Sequence, residues 1–193
     1  MKILLVHGLF MRPLVMQVLA SRLRVFGHEV LVFGYGFLPS QDRLHAQFVE
    51  CVNSYAPDAI IGHSMGGLIA LDADSHQHFT CSVSKILCLG SPIAGSSVAR
   101  KVKSSPFRFL LSKAARKILS KGARNFAHGG TIVGVIAGTD ERIGFNTLVR
   151  AYQGPGDGTV RLEETMGLVV DRRAEVHVGH TAMLFSQEVF FLI

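Results

Sequence analysis

Ser64 stands in Gly62-His63-Ser64-Met65-Gly66, with the apolar run Ala59-Ile60-Ile61 directly before it and Leu68-Ile69-Ala70-Leu71 shortly after. A serine flanked in this way sits where a buried strand turns sharply into a helix. The turn strains its backbone and lifts its hydroxyl above the sheet edge. Gly62 and Gly66, two residues to either side, let strand and helix approach closely enough to make the turn. The chemistry on offer is nucleophilic attack on an acyl carbon. The same five residues also describe an ordinary small-residue packing turn, so the weight lies in the flanking runs.

A serine hydroxyl is a poor nucleophile at neutral pH. It needs a base within hydrogen-bond reach and a third group to orient that base. In an open α/β sheet such groups collect at the carboxyl ends of the strands. Of the nine histidines, His180 follows the last strand-like run, in Val176-His177-Val178-Gly179-His180-Thr181. It is the expected base and is expected to open the final helix. His177 falls within the run and is expected to point into the sheet packing. His76, His78 and His128 lie on polar, exposed stretches. For the acid, Asp140 follows the fifth run at once, and Asp157 comes later in Gly154-Pro155-Gly156-Asp157-Gly158-Thr159-Val160. The glycines around Asp157 describe a tight turn that fixes one carboxylate. Asp140, followed by Glu141 and Arg142, reads as a solvated, ion-paired loop. Asp157 is therefore the favoured acid, and the order Ser, Asp, His is the one found on hydrolase-type α/β sheets.

Attack on an ester carbonyl also requires donors for the developing oxyanion, usually the largest electrostatic contribution. The backbone N–H of Met65, aimed by the turn, is one candidate. The other is the N–H of Leu9, in Val6-His7-Gly8-Leu9 after the first apolar run. His7 is expected to support that loop by hydrogen bonding.

The elements that must position these groups are short apolar runs: Lys2 to Val6, His28 to Phe33, Ala59 to Ile61, Lys85 to Leu89, Thr131 to Ala137 and Ala174 to Val178. They suit strands buried on both faces. Helical patterns cover Pro13 to Phe26, Gln41 to Tyr55, Met65 to His76, and Thr181 to the C-terminus. In the first, Leu14, Val18, Leu19, Val25 and Phe26 are expected on one side. Strand–helix alternation predicts an α/β class fold with a mostly parallel sheet and helices on both faces. An insertion at about 95–130 interrupts the alternation. Within it, Pro106 to Lys121 carries an apolar stripe (Phe107, Leu110, Leu111, Ala114, Ile118) opposite Arg108, Lys113, Arg116, Lys117 and Lys121, which predicts an amphipathic cap or lid helix.

With 193 residues, 48% of them hydrophobic and 18% charged, the chain suits one globular domain. Cys51, Cys81 and Cys88 form no disulfide framework and no zinc pattern, so free thiols in a reducing compartment are expected. No cofactor or metal is expected. The four apolar residues Ile3 to Val6 are too few for a secretion signal, and no stretch suits a membrane span. These features predict a cytoplasmic location. The net charge of +6 is local: nine of the twenty Lys and Arg lie between Arg100 and Arg124, with no Asp or Glu among them. An anionic membrane surface is the expected partner of 100–124. Nucleic acid is not expected, because stacking aromatics are not interleaved with these cations.

Taken together, Val6-His7-Gly8-Leu9, Gly62-His63-Ser64-Met65-Gly66-Gly67, Gly90-Ser91-Pro92 with Gly95-Ser96, Asp157-Gly158-Thr159-Val160 and His180 resemble the α/β-hydrolase superfamily, of the bacterial lipase and esterase type. The resemblance spans nearly the whole chain in the right order. It implies a three-layer fold with a sheet of about six strands. It also implies hydrolysis of carboxylic esters, including lipid esters, through an acyl-enzyme. Ser64 would be nucleophile, His180 base, Asp157 orienting acid, and Leu9 and Met65 the oxyanion N–H donors. The chain departs from secreted lipases in lacking a signal, a plausible disulfide and an acidic metal cluster, which favours an intracellular esterase. An acyltransferase or thioesterase would use the same machinery, and a non-catalytic binding protein of this fold would show a broken triad.

Overall fold

The computed structural model describes residues 1–36, 40–75, 78–103, 112–123, 130–167 and 170–193. Six strands run in chain order: β1 Lys2–Val6, β2 Glu29–Phe33, β3 Ala59–His63, β4 Lys85–Leu89, β5 Ile132–Gly138 and β6 Arg172–Val176. They form one sheet in the order β2-β1-β3-β4-β5-β6, and every neighbouring pair is parallel. A parallel sheet needs a crossover between successive strands, and helices supply it. These are α1 Pro13–Val25, α2 Gln41–Tyr55 and α3 Met65–Ser75, with α4 Ser97–Lys103 and α5 Lys113–Lys121 between β4 and β5. Two further short helices are α6 Phe145–Val149 and α7 Gln187–Leu192.

Side chains alternate across the sheet, so each strand feeds two cores. Leu4, Val6, Ile60, Ile86 and Val133 face one side and pack with Phe48, Leu68, Leu71 and Leu119, contributed by α2, α3 and α5. Ile3, Leu5, Ile61 and Ile136 face the other and pack with Leu19 and Leu23 of α1 and with Met183 and Val189 near the C-terminus. Full burial of a Leu or Ile side chain is worth about 1.5–3 kcal/mol, so the two faces together form the main source of stability.

Three local expectations need correction. The first helix buries Met16, Leu19, Ala20 and Leu23, whereas Leu14, Val25 and Phe26 are exposed. Apolar residues occur on both sides of this helix, and the 16-19-20-23 stripe is the one that meets the sheet. The last strand is Arg172–Val176 rather than 174–178, and His177 lies past its end, exposed. As an edge strand β6 has one neighbour, so its Arg-Arg-Ala-Glu composition is compatible with pairing. The C-terminal stretch is a 3₁₀ turn, Ala182–Leu184, followed by α7, whose N-cap Ser186 accepts from Val189 N. His180 therefore precedes a turn instead of opening a helix.

In the insertion, residues 104–111 and 124–129 lie outside the described residues, and with them most of the expected apolar stripe and His128; His76 also lies outside. The described part packs α5 against α2, α3 and α4, burying Ala114, Ala115 and Leu119. Ser96 N donates to Leu119 O (2.8 Å) and Ala123 N to Ile93 O (2.7 Å), tying the end of α5 to the loop after β4. Among the described residues no helix is long and apolar enough to cross a membrane, and the three cysteines are free.

Candidate active site

The strand order reverses between β1 and β3, and ligands of open α/β sheets bind at such a switch point, outside the carboxyl ends. Leu9 follows β1 and Ser64 follows β3, so both stand at that crevice.

Ser64 joins β3 directly to α3 with φ 56°. Left-handed backbone at a non-glycine residue costs about 1–2 kcal/mol and persists only where its surroundings impose it. Here Ser64 N donates to Leu89 O of β4 (2.8 Å), and Ser64 O accepts from Gly67 N (3.2 Å). The close approach expected of the flanking glycines is present: a Cβ on Gly66 would collide with the carbonyl of Val6.

Asp157 and His180 lie 23 residues apart and meet through a 2.7 Å contact between Oδ2 and Nδ1, both side chains buried. A carboxylate only accepts, so Nδ1 carries the hydrogen of this contact and Nε2 is the ring nitrogen turned away from Asp157. The other oxygen, Oδ1, accepts from Thr159 N (2.9 Å) and Val160 N (2.7 Å). The backbone repeats the link, with His180 N donating to Asp157 O at 2.9 Å. Gly90 closes the cradle: at φ 57° a Cβ there would sit 3.0 Å from Asp157 Oδ2 and 3.1 Å from His180 Nδ1. Asp140, the other acid considered, is forked by Arg142 Nε (2.8 Å) and Nη2 (2.7 Å) and is held below the usual carboxylate range by that partner.

Ser64 Oγ and His180 Nε2 are not in hydrogen-bonding geometry with one another. Their link is His63, whose ring lies 4.7 Å from that of His180. His63 Nε2 donates to the main-chain carbonyl of His180 at 2.9 Å. Fully buried, His63 is pushed down to about 3 chiefly by desolvation and stays neutral. The motif gave its position, but the sequence held no sign of this contact.

The β1 loop stands over the serine, since a Cβ on Gly8 would lie 3.0 Å from Ser64 Cβ. His7 is stacked on Tyr35 at 4.1 Å, accepts from Tyr35 N through Nε2 (3.3 Å), and donates from Nδ1 to Gly8 O (2.8 Å). Burial pushes its ring below the ordinary histidine range. In a trans peptide the C=O and N–H point in opposite directions. Anchoring Gly8 O on His7 therefore turns the Leu9 N–H away from His7. Neither Leu9 N nor Met65 N donates a hydrogen bond among the described residues.

A family model described as a PGAP1-like alpha/beta domain matches residues 53–189. No curated protein sequence matches significantly. Among solved structures, the chain is similar to the mature lipase BlEst2 of Bacillus licheniformis, with a TM-score of 0.79 at 17% identity, covering 99% of this chain and 89% of that one. Phospholipase PlaB of Legionella pneumophila superposes with a TM-score of 0.63 at 20% identity, covering 86% of this chain and 44% of that one. The Arabidopsis methylesterase MES16 does so with a TM-score of 0.63 at 13% identity, covering 100% and 96%. The TM-scores show a shared α/β-hydrolase fold, and at these identities the fold alone.

Proposed function

The chain belongs to the PGAP1-like alpha/beta domain family, and on that footing we propose that it is a serine hydrolase cleaving carboxylic esters through an acyl-enzyme. The observation that carries this reading is the buried Asp157–His180 pair at 2.7 Å, with the other carboxylate oxygen of Asp157 held by the N–H groups of Thr159 and Val160. A carboxylate so fixed holds one imidazole tautomer and leaves Nε2 as the basic nitrogen.

In the proposed reaction His180 Nε2 takes the Ser64 hydroxyl proton as Oγ bonds to the ester carbon. The carbonyl electron pair moves onto oxygen, where the N–H groups of Leu9 and Met65 receive the oxyanion. Collapse expels the alkoxide, which leaves as the alcohol with the proton from His180. Water then repeats the sequence on the acyl-Ser64 and frees the acid. The strained φ of Ser64 supports its assignment as nucleophile, because such strain concentrates at functional positions.

The proposal includes an anionic membrane surface as the partner of 100–124. In α5 the apolar Ala114, Ala115 and Leu119 face inward and Lys117 is exposed, as a surface-docking cationic face requires, while Lys121, also exposed, pairs with Asp72 at 3.9 Å.

The test is labelling of the purified protein with a fluorophosphonate, followed by turnover of matched ester and thioester substrates. Labelling of Ser64 and hydrolysis of the ester series are expected. A folded protein that takes no label ends the serine-hydrolase reading, and faster thioester turnover would move it to the thioesterase class.

A further inference from the structure

Glu164, in the 3₁₀ turn Leu162–Thr165, is only 6% exposed. Burying a carboxylate is costly unless hydrogen bonds replace its water, so its partners define its purpose. Oε1 accepts from Ser97 N (2.5 Å) and Oε2 from Arg161 N (3.1 Å). The main-chain carbonyl of Glu164 accepts from Ala94 N (2.7 Å). Arg100, half exposed, brings Nη2 within 3.6 Å of Oε1. One residue thus joins 94–100, the root of the basic insertion, to the turn at 161–164.

The Arg161 N–H leads directly to the triad acid. Arg161 pairs with Gly156 in an antiparallel bridge, Leu162 N donates to Pro155 O (2.9 Å), and Asp157 N donates to Val160 O (3.1 Å). These bonds close the turn that presents the Asp157 carboxylate, so holding Arg161 holds the turn at its base. The turn is packed without slack, since a Cβ on Gly138 would lie 2.7 Å from Asp157 Cβ. A shift at the base therefore reaches the carboxylate. On the other side, Ser97 opens α4, the first helix of the insertion. α4 also packs on α6, which is bonded to the same turn. Phe145 N donates to Thr159 Oγ1 (3.2 Å) and Asn146 N to Gly158 O (2.8 Å). The insertion root grips the acid turn through α6 and through Glu164, and the second grip is a single side chain.

We infer that Glu164 is a positioning residue: by clamping the root of the basic insertion to the Asp157 turn, it sets the direction of the carboxylate that orients His180. This rests on the serine-hydrolase reading for the role of Asp157, and it adds that the insertion is part of the acid's support. The chemistry of the clamp is specific. Two N–H groups from different loops converge on one side chain, and a carboxylate offers an acceptor oxygen to each. A glutamine of the same size presents one acceptor and one donor, so one of the two N–H groups loses its partner. A misplacement of about 1 Å at a reacting constellation costs on the order of 10²-fold in rate.

The experiment follows the strongly deshielded Nδ1 proton of His180 by proton NMR of the full chain at low temperature, alongside kcat and KM for an ester. His180→Gln assigns the resonance by its loss. Glu164→Gln is expected to move it upfield and to lower kcat by on the order of 10- to 10²-fold with KM little changed. Ser97→Pro removes the other end of the clamp at the first helical position, where proline is tolerated, and is expected to do the same. In the double variant the two effects should not add, and strict additivity would overturn a single link. Glu163→Gln, at the exposed neighbour, is expected to match the parent in both readouts. A folded Glu164→Gln protein with an unmoved resonance, or with an unmoved kcat, would overturn the inference, since a merely structural residue lowers only the melting temperature. Should Glu164→Gln fail to fold, Ser97→Pro decides by the same criteria. A moved resonance in a protein that takes no fluorophosphonate on Ser64 would uphold the clamp and overturn the nucleophile. Label on Ser64 with an unmoved resonance would do the reverse, and a parent without the resonance would overturn both the clamp and the acid–base pair.

Discussion

His63 donates its Nε2–H to the backbone carbonyl of His180 at 2.9 Å, across 117 residues of chain. The residue before the candidate nucleophile thereby holds the residue proposed as its base. This requires a neutral His63, since a second proton on the buried Nδ1 would find no acceptor among the described residues.

That requirement sets an acid sensitivity. Unfolded, His63 titrates near its ordinary value of 6.5; folded, near 3. Between those values the unfolded chain binds one more proton than the folded one. Stability from this group is therefore full above about pH 6.5 and is lost toward pH 3, at about 1.4 kcal/mol per pH unit. His63→Gln keeps an N–H donor and removes the titration. Urea unfolding at pH 4 to 7 should show a slope against pH shallower by about one proton in His63→Gln, and equal slopes would refute a neutral buried His63. His7, also lowered by burial, contributes slope of the same sign in both proteins.

Ser64→Ala should lose ester hydrolysis by on the order of 10⁶-fold in kcat, as removal of a triad nucleophile does. Ser64→Gly should be equally inactive yet more stable than the parent by about 1 kcal/mol, because φ 56° is free of strain for glycine. Activity of Ser64→Ala within tenfold of the parent would end the assignment. A thermal melt of Ser64→Gly below that of the parent would mean that the turn carries no strain.

Asp157→Asn should be far more damaging than Asp140→Asn. An amide opposite His180 Nδ1 favours the wrong imidazole tautomer, a loss of about 10⁴-fold in the serine-protease case. Asp140→Asn removes the half-buried partner of the exposed Arg142 and should leave kcat within a few-fold. Steady-state kinetics of the two variants giving the reverse order would make Asp140 the acid.

Gly90→Ala tests the cradle. Its Cβ would press on Asp157 Oδ2 and His180 Nδ1 from about 3 Å, in a backbone region that alanine disfavours. A displacement of the pair by about 1 Å costs on the order of 10²-fold in rate. Loss of kcat in a variant whose circular dichroism matches the parent is the expected result. Undiminished turnover would show that the pair tolerates displacement.

Sedimentation with vesicles tests the cationic insertion. Binding should require anionic headgroups and weaken with added salt, since exposed charges are screened beyond about 8 Å at physiological ionic strength. Equal binding to neutral and anionic vesicles, or to neither, would reduce α5 to a packing helix.

Much of this arrangement is local and therefore legible in the chain. The apolar runs mark five of the strands, most plainly β3, because a strand covered on both faces has no polar side to show. Asp157 announces itself through the turn it shares with Thr159 and Val160, and Ser64 through the strand and helix on either side of it. The last strand was misplaced by two residues because Arg172-Arg173-Ala174-Glu175 lies at the sheet edge and need not be apolar. The face of α1 was misread because apolar residues line more than one side of it, and only contact with Ile3 and Leu5 selects the buried stripe. The His63–His180 link, the Gly90 cradle and the Glu164–Ser97 contact had no counterpart in the pattern. Each joins residues from different loops, and which loops meet depends on strand order: β1 beside β3, β4 beside β5. Residue type and spacing determined which groups could react. The parallel pairing of distant strands decided which of them meet, because hydrogen-bond register across the sheet, rather than distance along the chain, sets the spacing of the loops at its carboxyl edge.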